Sequence, residues 1–176
     1  MIYADMNRKK ILFFAVLGSA LLALGAFAAY STSRHASPTS HVRCDFPALL
    51  HKETSFPLFC VDPQKLPKGA VSHAARASGN RETVLFAIQD GQQTLSVSQQ
   101  HKPPQDQLVN FVSNVIPLHF EVNTSVGKAY VGVSQKKTLV SLPTKDTTWI
   151  LVTAPENYDP DKMTNVLQAF TKDNRP

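Results

Sequence analysis

A chain of 176 residues with a formal charge of +5 has length for one compact outer core and a membrane segment, but not for several domains. Part of that charge sits at the N-terminus, since residues 31–176 hold fifteen Lys or Arg against twelve Asp or Glu, a net of +3. The cations stand singly or in the pair Lys136-Lys137, without runs interleaved with aromatics, which argues against nucleic acid as a partner.

Residues 1–10 end in Arg8-Lys9-Lys10, and Ile11 to Tyr30 then run for twenty positions without a charge. A helix of that length covers roughly 30 Å, the hydrocarbon thickness of a bilayer. The pattern predicts a short cytoplasmic tail at 1–10 and an uncleaved transmembrane helix at 11–30. Ala26-Phe27-Ala28 also fits a signal-peptide cleavage site, so a cut before Ala29 is the alternative. The segment carries no acidic residue of the pilin kind, and Cys44 lies too far beyond it for a lipid anchor. Three cations precede the span, whereas Arg34 alone follows in the next ten residues, which places the C-terminal part outside the cell membrane. Gly18, Ser19, Ala20 and Gly25 are small enough to let a second membrane helix approach closely.

Ser31 to Ser40 is polar and aperiodic, a flexible linker at 31–40 before an extracytoplasmic domain at 41–176. Cys44 and Cys60 both fall on the exported side, where a disulfide persists. A bridge between them closes a loop of about 15 residues and stabilises by roughly 3 kcal/mol in the chain-entropy account. Two independent buried thiols are the alternative. Three prolines break the stretch from Asp45 to Leu66, which predicts a short helix near Pro47 to Lys52 followed by irregular chain. Lys65-Leu66-Pro67-Lys68-Gly69 reads as the turn that launches the first strand.

Val71–Ala77, Thr83–Gln89 and Thr94–Gln100 read as antiparallel strands, the last two joined by the hairpin signal Asp90-Gly91. After Pro103-Pro104, the spacing of Leu108, Phe111, Val112 and Val115 predicts an amphipathic helix over about 105–114 that covers one sheet face. Leu118–Asn123, Lys128–Ser134, Thr138–Pro143 and Thr147–Thr153 add four more strands, and Trp149 to Val152, apolar on both faces, belongs in the sheet centre. Asp159-Pro160-Asp161 starts a final helix with Met163, Val166, Leu167 and Phe170 as its buried stripe, and Lys172 to Pro176 should fray. The expected fold is α+β: a curved antiparallel sheet of about seven strands with one helix inserted mid-sheet and one at the C-terminus.

Residues of catalytic or ligating type are present but not arranged. No two of the six histidines stand three or four apart on a predicted helix, and His73 and His119 sit at solvent-facing strand positions. There is no HExxH run, no Gly-x-Ser-x-Gly elbow and no Gly-rich phosphate loop. Asp159 and Asp161 are explained by helix capping. The sequence therefore nominates no catalytic, cofactor-binding or metal-binding residue. Asn123-Thr124-Ser125 matches an N-glycosylation acceptor, relevant only where exported chains are glycosylated. Phe111, Tyr130 and Trp149 are candidates to line a groove between the sheet and the helix at 105–114, although core packing is the commoner role of such aromatics.

Phe56-Pro57-Leu58 before Leu66-Pro67-Lys68-Gly69, the Asp90-Gly91 hairpin, and Thr148 to Val152 running into Asp159-Pro160-Asp161-Lys162 span about two thirds of the chain. In that order they resemble a group of bacterial single-span proteins whose outer domain looks like the lipoprotein-carrier and anti-sigma-regulator sheet. Where those families often place a Tyr before the first Pro-Gly turn, this chain has Phe59-Cys60. The resemblance implies a half-open antiparallel barrel with a binding or sensing role. The expected function is a non-enzymatic, membrane-anchored domain that binds an apolar ligand or a protein partner. An accessory subunit of a larger membrane complex and an exported hydrolase are the alternatives.

Overall fold

The computed structural model describes residues 46, 50, 54–79 and 81–173. The chain divides after Ser40 into two units, and all described residues belong to the second, His41–Pro176. The span expected at 11–30 with Gly18, Ser19 and Gly25, the linker at 31–40, Cys44 and most of the helix expected at 47–52 lie outside the described residues. Among the described residues no helix is long and apolar enough to cross a membrane.

In chain order the elements are β1 (Phe59–Val61), β2 (Val71–Ser72), β3 (Arg76–Ala77), β4 (Thr83–Asp90), β5 (Gln93–His101), α1 (Gln105–Val115), β6 (Leu118–Asn123), β7 (Lys128–Ser134), β8 (Lys137–Pro143), β9 (Thr148–Pro155), α2 (Pro160–Gln168) and β10 (Phe170–Lys172). Eight strands make one open antiparallel sheet in the order β2-β4-β5-β9-β8-β7-β6, with β3 also paired to β4, while β1 and β10 form a separate pair. The class is thus α+β, a mostly antiparallel sheet with two helices. The strand count exceeds the expected seven for two reasons. His73-Ala74-Ala75 leave the ladder and split Val71–Ala77 into β2 and β3. In addition, β1 and β10 pair Phe59 with Lys172 across most of the domain, so neither has a local turn to announce it, and Lys172 is a strand residue where fraying was expected.

Strand β9 lies between β5 and β8, which is why it is apolar on both sides. Its alternation sorts the two faces. Ile150, Val152 and Ala154 share a buried cluster with Phe86, Ile88, Leu95, Val97, Val131, Val140 and Leu142, and with Met163, Val166 and Leu167 of α2. Trp149 points the other way. Its ring meets Phe111 of α1 edge to face, centroids 4.9 Å apart, so the two helices cover opposite sides of the sheet. Burying Met163, Val166 and Leu167 contributes about 1.5–3 kcal/mol each before entropy is charged against it.

Turn chemistry sets the registers. Asp90 pairs with Gln93, leaving Gly91 and Gln92 as a two-residue loop whose first residue has φ +60°, a primed-type hairpin that needs glycine there. The β7–β8 loop is Gln135-Lys136, both at positive φ (51° and 59°), with Lys137 already paired in β8. In β6 the alternation fails: Leu118 pairs with Gly132 but Phe120 with Val131, so His119 is an extra, bulged residue. Leu118 is thereby turned outward and 51% exposed, while Phe120 packs against the core. Gly132 is what admits this bulge, because a Cβ there would sit 2.2 Å from the Pro117 carbonyl oxygen.

Candidate functional site

The bulge of β6 brings His119 and Phe120 to the rim of a cavity of about 250 Å³ on the α2 side of the sheet. Val131 and Val133 of β7 and Met163 of α2 form its apolar wall, and Tyr158, Thr138, Glu156 and Pro160 also line it. Val131, Tyr158 and Met163 are buried and fix the shape, whereas His119 and Glu156 are exposed at the opening. The Thr138 hydroxyl is 3.2 Å from the Pro155 carbonyl oxygen and 3.4 Å from that of Glu156, to which it donates. No described side chain bonds or pairs with the carboxylate of Glu156 or the imidazole of His119.

Behind this wall lies a buried polar network. Asp90, 6% exposed, sits at the end of β4 because the hairpin turn begins at Gly91. One of its oxygens, Oδ2, accepts from the Tyr158 hydroxyl at 3.1 Å and from Lys162 Nζ at 2.9 Å. Lys162 reaches it because Asp159 caps α2: the Asp159 Oδ1 accepts from the backbone N–H of Asp161 (2.8 Å) and of Lys162 (3.0 Å), fixing the first turn. Burial, and after it the hydrogen bond to Asp90, holds the Tyr158 phenol well above its ordinary range. Such a phenol stays protonated at neutral pH and is a poor acid or base. Gln93 Nε2 donates to Asn157 Oδ1 at 3.3 Å, a second tie between the β4–β5 hairpin and the segment entering α2.

A third feature joins the small sheet to the large one. Antiparallel pairing makes alternate residues of β1 bond toward β10, as the Asp173 N–H to Leu58 oxygen and Asp62 N–H to Ala169 oxygen bonds show. Phe59 must therefore turn its N–H and C=O away from β10. The fully buried Gln99 of β5 takes both: its Oε1 accepts from Phe59 N at 2.8 Å and its Nε2 donates to Phe59 O at 2.6 Å. The hydroxyl of Thr148 likewise donates to the Pro57 oxygen at 2.6 Å. Side chains of the large sheet thus act as the missing neighbour strand of β1.

The three aromatics nominated for a groove lie elsewhere. Phe111 and Trp149 are buried against each other, and Trp149 Nε1 donates to Ser141 Oγ at 2.8 Å. Tyr130 is half-buried on β7, with Lys128 Nζ 5.6 Å from its ring centre and Lys128 paired to Glu121. That pairing hydrogen bond raises the Lys128 pKa. None of the three lines the cavity. Cys60 is disulfide-bonded, and the one other cysteine of the chain, Cys44, lies outside the described residues. Among the described residues no three His, Cys, Asp or Glu groups gather as metal ligands would. Thr124 of the glycosylation-type triplet is engaged in its turn, donating to the Gly127 oxygen at 2.7 Å. The cavity residues carry no local signal in sequence, because a bulge, a strand end and a helix start meet there only after folding. Neither family models nor curated proteins yield a match to this chain.

Proposed function

We propose that the chain is a single-span membrane protein whose outer domain is a non-enzymatic binding module, with the cavity between β6, β7 and α2 as its ligand site. The twenty uncharged residues from Ile11 to Tyr30 after Arg8-Lys9-Lys10 support the anchor and its orientation, N-terminus in the cytoplasm and domain outside. The likeness to lipoprotein-carrier and anti-sigma-regulator domains points the same way. The single observation that carries the binding reading is an open, largely apolar cavity walled by Val131, Val133 and Met163. Tyr158, held protonated, supports a structural role for the buried network of Asp90, Tyr158 and Lys162 beside it.

Indole, a neutral apolar probe, tests the site. It should produce a saturable shift of the Met163 methyl resonance, and Val133→Trp, which fills the cavity from a half-buried position, should abolish it. Absence of a saturable shift in the unsubstituted protein would sink the reading. A C-terminal tag open to protease in intact cells is the expected outcome for topology, and a protected tag would reverse the orientation. The bulge leaves Leu118 half exposed at the edge strand, which favours protein contact as a second reading.

A further inference from the structure

We infer that the ligand of this cavity is a small amphiphile with an aromatic or branched apolar body and a cationic amine end, an inference that rests on the cavity being the ligand site. Size sets the first limit. An apolar cavity of about 150 Å³ takes one benzene, so by proportion a cavity of this size takes about ten non-hydrogen atoms, a ring with a short arm. A volume of about 250 Å³ is too small for the paired acyl chains of a lipidated protein.

Charge sets the second limit. Glu156 is the one lining residue with a formal charge at neutral pH, and its carboxylate is paired with no described side chain. The neighbouring cation, Lys162, does not line the cavity, and its Nζ is held on Asp90. A positive end therefore meets a carboxylate without an ion-pair partner among the described residues, while an anionic end meets like charge with no lining cation to offset it. The Thr138 hydroxyl spends its proton on backbone carbonyls, so it faces a ligand as an acceptor and favours an amine for the same reason. Phe120 and Tyr158 among the lining residues are aromatic, the side-chain type that attracts a cation. Val131, Val133 and Met163 take the apolar body at the other end.

The test uses the full chain in lipid nanodiscs at pH 7 with three probes of one shape: 3-phenylpropylamine, neutral 3-phenyl-1-propanol and 3-phenylpropanoate. Affinity is read from the Met163 and Val131 methyl resonances. The amine should bind about fivefold more tightly than the alcohol, the upper range for an exposed ion pair, and the carboxylate should bind worst. Glu156→Gln should erase the advantage of the amine and leave the alcohol unchanged, and Val133→Trp should remove all three. Equal binding of amine and alcohol, tighter binding of the carboxylate, or an amine unaffected by Glu156→Gln would each overturn the cation preference while leaving the cavity as a ligand site. No saturable shift with any probe would remove both.

Discussion

Replacing Gln99 by Leu isolates the seam between the two sheets. The substitution keeps the approximate size of the side chain but removes both partners of Phe59, whose N–H and C=O would be left in an interior where Gln99 is 0% and Phe59 1% exposed. Each orphaned buried group costs about 1–3 kcal/mol. Two of them cost about 2–6 kcal/mol, and the more favourable burial of Leu returns about 1–2 kcal/mol. The expected net loss is about 3 kcal/mol, a large part of the roughly 5–15 kcal/mol that holds a domain together. Trp149, the one tryptophan of the chain and buried beneath Phe111, reports unfolding in urea through its emission. Amide exchange at Phe59 reports the seam directly and should accelerate. Gln99→Glu separates shape from hydrogen bonding: a carboxylate sets an acceptor against the Phe59 carbonyl at neutral pH, and protonation in acid should restore part of the stability. A Gln99→Leu protein within about 0.5 kcal/mol of the parent, with Phe59 still protected, would refute the assignment of Gln99 as the stand-in strand.

Gly132→Ala should lower stability by about 2–3 kcal/mol in urea unfolding, because the new methyl would meet the Pro117 oxygen and Ile116 unless the bulge moves. Lys136→Gly should raise it by about 0.5–1 kcal/mol in the same assay, since the loop holds a residue with a Cβ at φ 59°, where glycine is unstrained. Tyr158→Phe should cost about 1 kcal/mol near neutrality for the lost bond to Asp90. Its pH dependence follows from the raised phenol: the folded state keeps a proton that the unfolded chain releases near pH 10, so this group stabilises fully below about pH 10 and progressively less above it. The alkaline fall in stability should therefore be shallower in Tyr158→Phe than in the parent, and parallel profiles would contradict the burial of that phenol.

The elements with short-range signals were legible in the sequence. The hairpin at Gly91, the α1 stripe of Leu108 and Phe111 and the Asp159 cap each depend on residues within a few positions of one another. The features that escaped depend on distant partners. Strands β1 and β10 are each three residues long and are held by partners distant in sequence, so neither shows a period of its own. Gln99 reads as an ordinary polar strand residue until β1 is laid against it. The bulge at His119 is invisible to strict alternation, and Phe111 and Trp149, chosen by type, pack on each other, whereas the cavity is walled by Val131, Val133 and Met163. Residue type identified what could pack, but contact across the sheet decided what did.

The first turn of α2 links the cavity to the buried network. On one flank, Tyr158 and Lys162 converge on a single oxygen of Asp90 at the β4–β5 hairpin. On the other, Pro160 and Met163 belong to the cavity lining. The Asp159 cap fixes the backbone between them, so the position of Met163 is set by bonds made on the far side of its own turn. On the proposed reading of the cavity as a ligand site, a wall held in this way needs no ordering on binding, and the entropy that ordering would cost is not charged against affinity. Opposite that wall, Gly132 lets the Pro117 carbonyl close in and throws His119 out of register, which turns Phe120 toward the core at the rim. The buried carboxylate and Gly132 of β7, far apart in sequence and unremarkable alone, thus shape the two sides of one cavity.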